Sequence, residues 1–145
     1  MGVFGEAGTG KSRLIAAIRA WFSTHNRRDE LLITASTGSA AFNINGATLH
    51  STCNLPIGRK KKKMGQEKSK KLASCNYLIV DEVSMFDCKN LVDLHTALSN
   101  AKRNPGEDFG GLNVIFMGDF LQMPAVSCRD LYVTKPSEWA LGHRL

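Results

Sequence analysis

Four short apolar runs punctuate the chain: Val3 with Phe4, then residues 31–34 (LLIT), 77–80 (YLIV) and 114–117 (VIFM). None is long enough for a helix and none alternates strictly, which is the pattern of strands buried on both faces of a parallel sheet. Between these runs the period changes. Leu14, Ile15, Ile18, Trp21 and Phe22 recur at helical spacing and predict a helix over 11–22, while Leu91, Leu94 and Leu98 form a second stripe with Asp87 as its N-cap. Asn104, Pro105 and Gly106 end that region as a loop. Strands alternating with helices predict an α/β domain, a parallel sheet flanked by helices.

Length and composition narrow this picture. The chain of 145 residues fits one domain, and 43% hydrophobic with 22% charged residues is enough to build a core and excludes a disordered segment. Cys53, Cys75, Cys88 and Cys128 form no C-x-x-C pair, so free thiols in a reducing compartment are expected and a zinc site is not. His25, His95 and His143 have no clustered partners and read as surface or helix residues. The longest stretch without a charge, 31–58, is interrupted by Thr, Ser, Asn, Gly and Pro, so no membrane span is expected, and the N-terminus has no signal-peptide pattern. The net charge of +6 is concentrated in residues 59–71 (RKKKKMGQEKSKK), with eight basic residues against one acid, and the remainder is close to neutral. That run reads as a basic loop, whether solvated, an import signal or a contact for a polyanion.

The chemistry sits at the ends of the strands. Gly5, Glu6, Ala7, Gly8, Thr9, Gly10, Lys11 and Ser12 fit G-x-x-x-x-G-K-[ST] between a strand and a helix, the context in which backbone N–H groups cradle phosphates. Lys11 is expected to reach the β and γ phosphates, and the Ser12 hydroxyl to ligate Mg²⁺. The 77–80 strand runs into Asp81 and Glu82, where Asp81 would hold Mg²⁺ through water and Glu82 would polarise an attacking water. The last strand is followed by Gly118, Asp119 and, three residues further, Gln122, an uncharged amide suited to sensing a γ-phosphate. Residues 34–42 and 48–51 are small and hydroxyl-rich, which suits either close approach of a nucleic-acid backbone or a loop chosen for packing.

In this order the phrases GEAGTGKS, TASTGSAAFNINGATLHS, LIVDEVSM and GDFLQMPAV resemble the Pif-type (petite integration frequency) DNA helicases of superfamily 1. FGGLNVIFMGDF and LGHRL are most similar to the helicase part of helitron-type mobile elements. The resemblance covers nearly the whole chain. It implies a P-loop NTPase of RecA-like fold, the first of two motor lobes, shortened at both ends, within an enzyme that moves 5′ to 3′ on DNA. By the match, residues 5–12 bind ATP and Mg²⁺, Lys11, Glu82 and Gln122 serve hydrolysis and its coupling to motion, and Ser12 with Asp81 holds the metal. Thr37, Gly38, Thr48, His50 and Ser51 would face DNA, either a single strand or a duplex with a 5′ tail. The family's adenine-contacting glutamine has no counterpart, since only four residues precede Gly5, and Gln122-Met123-Pro124-Ala125-Val126 stands where the family reads Q-L-P-P-V. The sequence ends at Leu145, before a second RecA-like lobe. That lobe's arginines complete the ATP site in the family, so weak turnover and no unwinding are expected of this chain alone, and a non-catalytic remnant is the competing reading. A small P-loop kinase would need a lid arginine cluster, which the sequence lacks. The resemblance suggests the nucleus as compartment, with the mitochondrion as the alternative.

Overall fold

A computed structural model describes residues 1–56 and 65–119. Among them the strands β1 (Gly2–Phe4), β2 (Leu31–Ala35), β3 (Ala47–Thr48), β4 (Tyr77–Asp81) and β5 (Asn113–Gly118) form one parallel sheet in the order β1-β5-β4-β2-β3. The helices are α1 (Lys11–Thr24), α2 (Gly38–Asn43), α3 (Leu49–Cys53), α4 (Gln66–Ser74) and α5 (Cys88–Lys102). All four apolar runs are strands, and the two apolar stripes are α1 and α5.

The sheet is covered on both faces, as its unbroken apolar runs require. On one face Leu32, Leu78, Val80 and Val114 pack with Leu49, Leu72, Leu94 and Leu98 from α3, α4 and α5. On the other, Ile79 and Met117 meet Ile15 of α1 and Ala41 of α2. Alternate residues of β4 thus enter opposite cores, and full burial of one such side chain is worth about 1.5–3 kcal/mol. The α5 stripe begins where expected, because the Asp87 carboxylate accepts the Asn90 N–H at 2.6 Å and satisfies an otherwise orphaned donor.

Two expectations are corrected. The small-residue stretch after β2 is not one loop: Thr37 caps α2, and Thr48 ends β3 and caps α3. Small side chains hide this, because a helix of five or six residues has too few apolar positions to display a period. The basic segment is likewise not a loop throughout, since residues 66–71 belong to α4, anchored by Leu72, which is fully buried against the core. Residues 59–64 of that segment lie outside the described residues, as do Gln122, Cys128 and His143. Among the described residues Cys53, Cys75 and Cys88 are buried and not joined by disulfides, and burial pushes the Cys53 thiol up to about 12. Among the described residues no helix is long and apolar enough to cross a membrane.

Candidate nucleotide and nucleic-acid site

Parallel pairing brings the ends of β1, β5 and β4 to one edge of the sheet, where the phosphate loop, Asp81 and Glu82 come together. The loop of residues 5–12 leaves β1 and is tied to β5 by the Gly5 N–H, which donates to the Gly118 carbonyl at 3.2 Å. Gly8 and Gly10 hold φ of 81° and 96°, a left-handed backbone that L side chains adopt only with strain. Open space surrounds both positions, so the requirement there is conformational and not steric. Gly10 is also the N-cap of α1, so the loop feeds directly into a helix N-terminus that favours anions. Lys11 folds back across the loop and donates from Nζ to the Gly5 carbonyl and, at 2.9 Å, to that of Glu6. The Thr9 hydroxyl donates to the same Glu6 carbonyl at 2.8 Å.

Opposite the loop, Asp81 ends β4 and is 6% exposed. Its Oδ1 accepts the Glu82 N–H at 3.0 Å. Burial raises the Asp81 carboxyl above its ordinary range, against the pull of that hydrogen bond and of Lys11. Glu82 is raised too, first by burial and then by the neighbouring Asp81 charge, with Lys11 opposing and Asp119 adding to the rise. Two carboxylates and an ammonium therefore share one partly desolvated place, an arrangement found where proton transfer and cation binding occur.

Glu82 itself has φ of 56° and ψ of 44°. Its left-handed backbone is held from β2: the Ser36 hydroxyl donates to the Glu82 carbonyl at 2.8 Å, and the Ser36 N–H donates to the Asp81 carbonyl at 3.1 Å. Sequence reasoning placed Ser36 in the hydroxyl-rich stretch 34–42 but did not link it to Glu82, a link that only the pairing of β2 with β4 reveals. It passed over Ser84, whose hydroxyl is buried without a protein partner.

Two openings meet at these carboxylates. A cleft of about 390 Å³ is lined by the loop, including Gly8, Gly10, Lys11 and Ser12, together with Asp81 and Glu82. A wider groove of about 840 Å³ continues from Ser12, Asp81 and Glu82 along Ser84 to Thr37, Ser39 and Asn43 of the α2 region. The donors fit a magnesium ion: a hydroxyl and carboxylates are hard oxygen ligands, and Mg²⁺ is held by one or two carboxylates with phosphate and water completing its shell. Among the described residues no cluster of three or more His, Cys, Asp or Glu suited to a metal occurs.

Of the other candidates, Thr37 lines that groove as the cap of α2, whereas Gly38 lies on α2, Thr48 ends β3, and His50 and Ser51 lie on α3 outside the groove's lining. The Thr37 hydroxyl accepts the Ala40 N–H at 3.2 Å. Thr48 Oγ1 accepts the Ser51 N–H at 3.4 Å and donates to Ser51 Oγ at 2.9 Å. The hydroxyls therefore shape the two short helices, and Gly38 and Ser51 remain exposed. Phe42, on α2, projects its ring into solvent with 81% exposure.

A family model described as PIF1-like helicase matches residues 1–134. The chain is 39% identical over 134 residues to the ATP-dependent DNA helicase RRM3 of Saccharomyces cerevisiae, covering 87% of this chain and 18% of that protein. It is also 39% identical over 131 residues to the ATP-dependent DNA helicase PIF1 of Emericella nidulans, covering 84% of this chain and 17% of that one. The chain thus spans less than a fifth of the length of these curated relatives. Among solved structures, Bacteroides Pif1 bound to ssDNA superposes with a TM-score of 0.77 at 31% identity over 88% of this chain and 30% of that one. Bacteroides Pif1 in complex with ADP-AlF3 and ssDNA gives 0.76 at 32% identity, over 87% and 29% of the two chains. Pif1 helicase from Candida albicans gives 0.76 at 35% identity, over 87% and 30%.

Proposed function

Since the chain belongs to the PIF1-like helicase family, we propose that it is the first RecA-like motor lobe of an ATP-dependent DNA helicase moving 5′ to 3′. The observation that carries this reading is the sharing of Ser12, Asp81 and Glu82 between the phosphate-loop cleft and the groove leading to α2. A nucleotide in one and a polymer along the other would meet at the same carboxylates.

In this reading the backbone of residues 5–12 and the α1 N-terminus hold the phosphates, and Lys11 exchanges its carbonyl partners for phosphate oxygens. Ser12 and Asp81 would hold Mg²⁺, which would supply charge neutralisation to the phosphates. Glu82, held in place by Ser36, orients the attacking water and takes its proton. Gln122 would report the state of the γ-phosphate. In the whole helicase, cations from a second RecA-like lobe would face this site and complete it.

On the other side, single-stranded DNA would lie along α2 and α3, with Thr37, Gly38, Thr48, His50 and Ser51 beside its backbone and the exposed Phe42 ring stacked on a base. Relatives bound to ssDNA and to ADP-AlF3 with ssDNA support both halves of the reading. Titration of the chain with Mg-ADP, and separately with labelled oligo-dT, tests it. Saturable binding of both is expected; a folded chain that takes neither overturns the reading.

A further inference from the structure

On the flank of the sheet away from the phosphate loop, a groove of about 290 Å³ runs beside β2 and β3. Arg19 of α1, Arg28 and Lys71 of α4 line it, and among the described residues no acidic side chain does. Arg28 and Lys71 are solvent-exposed. The groove's Ala47 and Thr52 immediately bracket the segment that carries Thr48, His50 and Ser51. A fourth cation continues the strip, since Lys68, one helical turn before Lys71, donates to the Ser51 carbonyl at 2.9 Å.

Four cations from three separate chain segments thus converge on one flank, although only two of them belong to the basic run visible in the sequence. Such convergence is a tertiary product. Arg19 is steadied in place by donating to the Ile44 and Asn45 carbonyls, so its guanidinium is ordered beside the groove and does not sweep freely through solvent. We propose that this flank is a second contact surface for the backbone of single-stranded DNA, carrying the strand past α3 and around the outer edge of the sheet. The inference rests on the DNA reading of α2 and α3. Because the strip's contribution is mainly positive charge, its contacts to phosphates would position the strand irrespective of sequence.

Release of the counterions condensed on DNA makes this measurable. Each neutralised single-strand phosphate contributes about −0.7 to the slope of log K against log salt, so removing three cations should make the slope shallower by about 2. Oligo-dT binding is therefore followed by fluorescence anisotropy over a salt series for the chain and for the triple variant Arg28→Gln, Lys68→Gln, Lys71→Gln. Arg19 is left intact because its guanidinium joins α1 to two successive carbonyls after α2, whereas exposed Lys68 makes one carbonyl contact, which the Arg variant can keep. The charge-preserving Arg28→Lys, Lys68→Arg, Lys71→Arg variant should keep the original slope, and an unchanged Mg-ADP thermal shift in all three establishes that each is folded. Coincident slopes for the native chain and the Gln variant, with oligo-dT still bound, overturn the second surface and leave the α2 and α3 track standing. Failure of the native chain to bind oligo-dT at any salt overturns both. Displacement of oligo-dT by poly-glutamate at equal charge, lost in the Gln variant, would assign the groove to an acidic protein segment and overturn its assignment to DNA.

Discussion

At the phosphate loop the backbone is the working surface: Gly8 and Gly10 turn it, and α1 continues it without a side-chain cap. Along α2 and α3 the relation is reversed, because the Thr37 and Thr48 hydroxyls are spent on their own helix starts and the surface they shape is what meets solvent. A motif of loop type therefore reports function directly, since the residues that form the structure are those that touch the ligand. A motif of cap type reports it indirectly. Substituting a cap residue changes stability first and binding only as a consequence, which mutations can separate.

The largest effect is expected at Lys11. Mg-ADP at about 100 times its Kd should stabilise the chain by about 2.7 kcal/mol, which at this length is a rise in Tm of roughly 5–10 °C. Lys11→Ala should abolish that rise while leaving the ligand-free Tm nearly unchanged, because its two contacts are to loop carbonyls near the surface. Equal shifts in the two proteins would remove the nucleotide assignment.

Phe42 separates binding from folding. Loss of a stacked base costs about 1–3 kcal/mol, so Phe42→Ala should raise the Kd for oligo-dT about 5- to 150-fold. At 81% exposure the ring contributes little to the fold, and thermal unfolding should hardly register the change. Thr37→Ala should do the opposite, lowering stability by about 0.5–2 kcal/mol through the lost cap, with Thr37→Asn restoring it. If Thr37→Asn restores stability but not DNA affinity, the hydroxyl touches DNA as well as the helix.

Asp81 offers a trade between fold and function. Burial raises its pKa, so the folded state holds the charged form at a cost that protonation relieves. Asp81→Asn should raise the ligand-free Tm at neutral pH, since an amide oxygen can still accept the Glu82 N–H, and should weaken the Mg²⁺-dependent part of nucleotide binding. A lower Tm would mean that the carboxylate is stabilising after all.

The smallest effect belongs to the opposite end of the sheet. There the Arg27 guanidinium grips Glu30 through two hydrogen bonds of 2.7 Å. Chiefly through that contact, and through Asn76, the Glu30 carboxyl falls from 4.5 to about 2. A depressed carboxylate stabilises the fold fully above its unfolded value and loses that contribution as pH falls from 4.5 toward 2. Glu30→Gln should therefore flatten the acid limb of the Tm-against-pH curve in that window and leave nucleotide binding alone. An unchanged acid limb would show that the pair contributes nothing measurable.

Sequence alone determined the elements whose signal is local. The run YLIVDE marks a strand ending in acids because two buried faces demand consecutive apolar residues, and GEAGTGKS marks a turn that only glycines at Gly8 and Gly10 adopt without strain. Asp87 was legible as a cap for the same reason, since its partner lies three residues away. The short helices α2 and α3 were not legible, because five or six residues show no period and depend on the sheet beneath them. Nor was the part Ser36 plays at Glu82, across 46 residues, or the meeting of Arg19, Arg28 and Lys71 at one groove. Those juxtapositions are long-range. They exist only once β2 has paired with β4 and α4 has buried Leu72, because hydrogen-bonded pairing and core packing bring together residues that no local pattern links.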